Sequence, residues 1–281
     1  MPPCTSSRKT METEAKVIYL FCFARPGLEP DLSEAGVDGH SPVRVCDFPA
    51  ATAVTCELPL EEFRGPAADA RLQDLAWVSP RALRHEKVVE ALMSYSPVLP
   101  LPFGTLFSSL LSLRQFMEKN ASAISHFLDQ VADQEEWAVK GFVHQDKARQ
   151  SVLRQGLATH AQRLAAVSPG QRYIEGQRLQ KEATTNLSGW LKAICGTLAE
   201  DLRQPASAFE KRGILDIGEA QDGSTPIFNW AFLLPKHAVE RFQEQIQRAG
   251  ERYAPEGLRF ELSGPWPPYS FAPCLGNEAR G

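Results

Sequence analysis

The densest cluster of titratable side chains in this 281-residue chain is Arg81, Arg84, His85 and Glu86. A histidine beside a carboxylate is raw material for general base catalysis or metal ligation, because imidazole titrates near neutral pH and a carboxylate can orient it. Yet His85 shares its helical face with Val88, Val89 and Leu92, and no second ligand stands four residues on. A packed, hydrogen-bonded histidine is the more economical reading. His126, His144, His160 and His237 are scattered singly, none at metal-ligand spacing with a cysteine or carboxylate cluster. No GxSxG, HExxH, GxxxxGK[ST] or GxGxxG pattern occurs, and the glycines of Phe103-Gly104-Thr105 and Asp222-Gly223-Ser224 read as single turns. No catalytic residue, cofactor or metal site is therefore assigned.

Composition narrows the classes further. Hydrophobic residues at 43% and charged residues at 23% are ordinary for a folded protein with a sizeable core. Lys+Arg 30 against Asp+Glu 34 lacks the basic excess that phosphate-backbone binding exploits, so nucleic acid is not an expected partner. No run approaches the ~18 apolar residues of a membrane span, so no membrane is expected either. The six cysteines form no CxxC pair, and Cys22, Cys46 and Cys56 sit in strand-like runs as small hydrophobes, which fits a reducing, cytosolic setting. The first residues, MPPCTSSRKTMETEAK, have no apolar core of a signal peptide and read as a loose leader.

The elements that must position these residues begin with VIYLFCF (Val17 to Phe23), apolar on both faces as a central strand should be. PVRVCDF (Pro42 to Phe48) and TAVTCEL (Thr52 to Leu58) follow as a hairpin across Pro49-Ala50-Ala51, and a polar stretch runs to Asp74. Ser79-Pro80 predicts a helix start, with its end near Ser94. PVLPLPF (Pro97 to Phe103) is extended but proline-rich, hence an edge strand. A longer helix is expected from Ser108 to Val131, with Leu113, Met117, Ile124, Leu128 and Val131 as its apolar stripe.

The second half opens with the strand candidate EWAVKGFV (Glu136 to Val143). Two helical segments, Asp146 to Val167 and Gln171 to Gln204, are broken by Ser168-Pro169-Gly170, and Leu187, Leu191, Ile194 and Leu198 form a heptad-like seam in the second, which predicts a helical hairpin. GILDIGE (Gly213 to Glu219) and PIFNWAFLLP (Pro226 to Pro235) read as strands, a helix carries Val239, Phe242, Ile246 and Ala249 on one face, and LRFELS closes the order. That is βαββαβ, the ferredoxin-like split βαβ, and the first half has the same order with its first helix replaced by residues Leu28 to Ser41. The expected fold class is α+β: two modified ferredoxin-like domains joined by a long helix. The boundaries are a leader over 1–15, an N-terminal domain over 16–106, a connecting helix over 107–134, a C-terminal domain over 135–270 with the hairpin at 146–204, and a tail over 271–281.

Two surfaces are candidates for partner binding. FELSGPWPPYSF (Phe260 to Phe271) is an edge strand that stops in a rigid aromatic segment of Trp266, Pro267, Pro268, Tyr269 and Phe271, and such rings either pin the tail or face a partner. Arg81, Arg84 and His85 form the other. The helical hairpin, rich in arginine along a thin apolar seam, is a solvated face or a docking surface.

YLFCF, LAWVSPRALRHEKVVEALMSYSPVLPLPFGTLFSS (Leu75 to Ser109), EEWAVKGFV and LRFELSGPWPPYSF, in that order, resemble the gas vesicle protein F/L family (GvpF/GvpL) over almost the whole folded chain. Motif positions include Arg81, His85, Glu86, Pro100, Phe103, Gly104, Trp137, Lys140, Gly264, Pro265, Trp266, Pro267 and Pro268, with Pro102 standing where a basic residue is expected. The resemblance implies a non-enzymatic accessory or minor structural protein of gas vesicle assembly, located in the gas vesicle or cytoplasm. It also implies binding to the small hydrophobic shell protein and other gas vesicle accessory proteins, and support of nucleation or growth. Alternatives from the residues alone are a ferredoxin-like small-molecule-binding or regulatory module, or an enzyme whose site near His85 opens onto a cavity.

Overall fold

The computed structural model describes residues 15–63, 66–214 and 222–276, which form two compact units, one made of the residues up to Ala132 together with those from Ala272 on, the other spanning Asp133–Phe271. In the first unit, β1 (Lys16–Ala24), β2 (Arg44–Asp47) and β3 (Thr52–Pro59) are followed by the short helices α1 (Leu60–Phe63) and α2 (Pro66–Gln73). Then come α3 (Leu75–Met93), β4 (Val98–Pro100), β5 (Leu106–Phe107) and α4 (Leu110–Gln130). The sheet order is β2-β3-β1-β4, antiparallel throughout, with β5 also beside β1. This is the strand order of the split βαβ fold.

β1 is buried from Val17 to Ala24 because both of its faces are covered. Tyr19 and Phe21 pack with Val88, Val89 and Leu92 of α3. A bulge between Leu20 and Cys22 resets the alternation, so Cys22 joins that same cluster while Phe23 turns to stack on Phe116 of α4. α4, expected to connect the halves, carries the predicted stripe of Leu113, Met117, Ile124 and Leu128 and packs on β1, β4 and β5 within the first unit.

Two local readings are corrected here. The helix expected to start at Ser79-Pro80 starts at Leu75, because Asp74 caps it by accepting from the Ala76 amide at 2.9 Å, which leaves Pro80 inside the helix. The polar stretch before it holds α1 and α2.

The second unit runs β6 (Gln134–Val143), α5 (Gln145–Thr159), α6 (Ala161–Ala165), α7 (Pro169–Arg203), β7 (Ala208–Lys211), β8 (Thr225–Pro235), α8 (Val239–Tyr253) and β9 (Leu258–Trp266). Its sheet order is β7-β8-β6-β9, again antiparallel, so the first unit's pattern repeats. The chain is thus α+β with two antiparallel sheets. Ser168 opens α7 with a capping box closed by Gln171, and Pro169 follows it. Phe242, Ile246 and Ala249 of α8 pack with Leu198 and Leu202 of α7 and with Trp137, Val139, Trp230 and Phe232 of the sheet, while Leu187 seats the hairpin beside Val143 and Ala148.

The strand read at GILDIGE is corrected as well. The strand that pairs with β8 is Ala208–Lys211, Gly213 and Ile214 are not strand, and residues 215–219 lie outside those described. A four-residue edge strand whose last two side chains are exposed has too little apolar alternation to compete with GILDIGE as a sequence signal.

Candidate functional site

Helix α3 disperses the charged cluster instead of gathering it. His85, 2% exposed, points inward, where its ring stacks on Phe21 at 5.5 Å between centroids and meets Tyr19 and Phe103 edge-on. Its Nδ1 lies 2.8 Å from the Tyr19 hydroxyl, which accepts from the Gly104 amide at 3.2 Å and so keeps its own proton for the imidazole. Burial holds His85 down to about 4, against the opposing pull of a hydrogen bond to the Leu101 backbone, so the ring is neutral at pH 7. Burial likewise pushes the Tyr19 phenol well above its usual value. A neutral imidazole closed in by aromatic rings holds β1, α3 and the turn after β4 together. At 2% exposure the imidazole is closed off from solvent.

The two arginines turn elsewhere. Arg81 lies 4.0 Å over the Trp77 ring and 3.4 Å from Glu62, joining α3 to α1. Arg84 donates to the Val37 carbonyl at 3.3 Å, pinning the loop that replaces the first helix. Gly104, at φ 84°, completes the Pro102 to Thr105 turn in a conformation that favours glycine, and its amide serves Tyr19.

The second candidate region is organised by a residue that sequence reasoning passed over. Glu136, 1% exposed in β6, accepts from the Ser270 amide through Oε2 and from the Ser270 hydroxyl through Oε1, both at 3.0 Å. Arg212, just past β7, pairs with the same Oε1 and donates from Nε to the Ser270 hydroxyl at 2.6 Å. A carboxylate is costly to bury unless such donors surround it. The clasp fastens the segment after β9: Pro267 and Pro268 are buried, Trp266, Tyr269 and Phe271 are half-buried, and Tyr269–Phe271 form a 3₁₀ turn. The Trp266 indole donates to the Ser263 hydroxyl at 3.1 Å, and the Gly264-Pro265 peptide is cis. Nothing local in the sequence marks it: Glu136 follows Glu135 at the start of an apolar strand, and its partners lie far along the chain.

β9 is the edge of this sheet, hydrogen-bonded along its length to β6. It spans nine residues, whereas β4, at the corresponding edge of the other sheet, spans three, all buried. The longer edge exposes more unpaired backbone for strand addition. Among the described residues no group of three or more His, Cys, Asp or Glu could hold a metal ion, and no helix is long and apolar enough to cross a membrane.

Known proteins share this fold. The signature of the family described as gas vesicle synthesis protein GvpL/GvpF matches residues 17–273. The chain is 28% identical over 258 residues to gas vesicle protein L of a Streptomyces species, covering 90% of this chain and 92% of that one. It is 24% identical over 302 aligned positions to gas vesicle protein L1 of Halobacterium salinarum, covering 98% of each. Among solved structures, GvpF from an Anabaena species superposes with a TM-score of 0.66 at 19% identity, over 92% of this chain and 96% of that one. GvpF from Microcystis aeruginosa gives 0.61 at 18% identity, over 92% and 99%.

Proposed function

The chain belongs to the gas vesicle synthesis protein GvpL/GvpF family, with a role in gas vesicle assembly, and from that premise we propose that it is a non-enzymatic accessory protein that binds the small hydrophobic shell protein. It supports nucleation or growth of the vesicle by keeping that subunit soluble until delivery. A wall enclosing gas needs very apolar subunits, and free apolar surface of that kind aggregates in water. A soluble partner that covers it removes the hazard.

The observation that carries this reading is β9 with its clasped aromatic end. A nine-residue edge offers backbone donors and acceptors to an added strand, and Trp266 and Tyr269 stand half-buried where that edge stops. Rings already fixed by Pro267, Pro268 and the Glu136 clasp lose little rotational entropy on contact. Arg81, Arg84 and His85 each make contacts within the first unit.

Co-purification with the shell protein tests the surface. The W266A/Y269A variant retains its circular dichroism and recovers several-fold less shell protein than the parent chain. Unchanged recovery removes the C-terminal segment from the contact.

A further inference from the structure

α7 is 35 residues long, and its cations are not spread evenly around it. At about 100° per residue, Ile174, Arg178, Lys181, Thr185, Ser188 and Lys192 fall within roughly 40° of one line along the helix. All six are exposed. Glu175, Glu182, Glu200 and Asp201 stand roughly 80° or more from that line, so the stripe carries cations and hydroxyls without a carboxylate for roughly 27 Å.

The surroundings reinforce the pattern. From Gln145 to Lys181 the hairpin holds seven Lys and Arg against two Asp and Glu, net +5 in a chain whose total is −4. Arg178 pairs with Glu182 on the flank at 2.8 Å, while Lys181 and Lys192 have no ion-pair partner among the described residues. At the start of the stripe Tyr173 and Ile174 are 70% and 68% exposed, although apolar positions further along, Leu179, Ala183 and Leu187, are buried.

We propose that this stripe is a docking surface for an acidic amphipathic helix of a partner protein, laid along α7 with glutamates or aspartates against Arg178, Lys181 and Lys192 and an apolar turn against Tyr173 and Ile174. The α5–α7 pair is a two-helix hairpin, and a third helix along it completes a bundle. Nucleic acid fits less well, since a duplex presents a charge every ~1.7 Å and the stripe is far sparser. An anionic bilayer fits less well too, because the apolar positions a surface helix would insert are buried in the hairpin. This contact goes beyond the shell-protein reading: its chemistry is acidic, not apolar, and it lies on α7, not β9.

The test uses the full chain and a fluorescently labelled heptad peptide with leucine at its core positions and glutamate elsewhere. Anisotropy is read at low and high salt. The parent chain binds, salt weakens binding, and R178E/K181E/K192E binds about tenfold less tightly with an unchanged melting curve, three exposed pairs each contributing modestly. Y173A/I174A also binds less tightly. Equal binding by the charge-reversed variant, or no binding by the parent, overturns the proposal. So does binding of phosphatidylglycerol vesicles or duplex DNA that is as tight as the peptide's and as sensitive to charge reversal. Shell-protein recovery by the charge-reversed variant stays at the parent level, which separates failure here from failure of the β9 reading.

Discussion

Glu136 and Ser270, 134 residues apart in sequence, are joined by two hydrogen bonds of 3.0 Å, one to the serine amide and one to its hydroxyl. The carboxylate is fully buried, and Arg212, 30% exposed, completes the clasp. It fixes the chain after β9 to the strand beside it, and so sets where Trp266 and Tyr269 stand.

Breaking this clasp costs stability through the charge left behind. Glu136→Ala strands the Arg212 guanidinium and is expected to cost about 3 kcal/mol in urea unfolding, at the low end for a broken buried pair because Arg212 keeps some solvent. Ser270→Ala removes one hydroxyl and costs about 1 kcal/mol. The double variant loses less than the sum of the two, since both act on one network.

His85 gives the first unit a pH-dependent stability. Its folded value lies near 4, below the ~6.5 of an unfolded histidine, so between these limits the unfolded chain binds a proton that the folded chain does not. Stability is therefore complete above pH ~6.5 and falls by about 3 kcal/mol as pH drops to ~4. Urea midpoints across this range, compared with those of His85→Gln, check it: the variant is less stable at neutral pH but loses that part of the slope.

Two glycines predict opposite signs. A Cβ on Gly141 would run into the Phe228 ring, inside a stack where Phe228 and Trp230 lie 3.6 Å apart, so Gly141→Ala is expected to cost about 1–3 kcal/mol. Gly189 lies in α7 with open space around its missing Cβ, so Gly189→Ala stabilises by about 0.5–1 kcal/mol. Thermal unfolding of the two variants checks both directions.

What the sequence disclosed follows the range of each interaction. The doubly apolar runs from Val17 and in PIFNWAFLLP marked central strands, because burial on both faces leaves a continuous apolar trace over a few residues. His85 was readable as a core residue from the face it shares with Val88, Val89 and Leu92. The strand Ala208–Lys211 was not, being short and half-exposed, and the cap at Asp74 was outweighed by the more familiar Ser79-Pro80 pair. The Glu136 clasp left no local trace, since its partners lie 76 and 134 residues away and only the folded sheet brings them together.

Sedimentation measures directly whether the chain holds the shell protein in solution. Denatured shell protein is diluted into buffer with the purified chain, with an unrelated acidic protein of similar size, or with neither, and the supernatant is assayed for shell protein. Of the three samples, only the one with the chain is expected to retain shell protein, as a complex of fixed ratio on gel filtration. The same pelleted fraction in all three samples would contradict it.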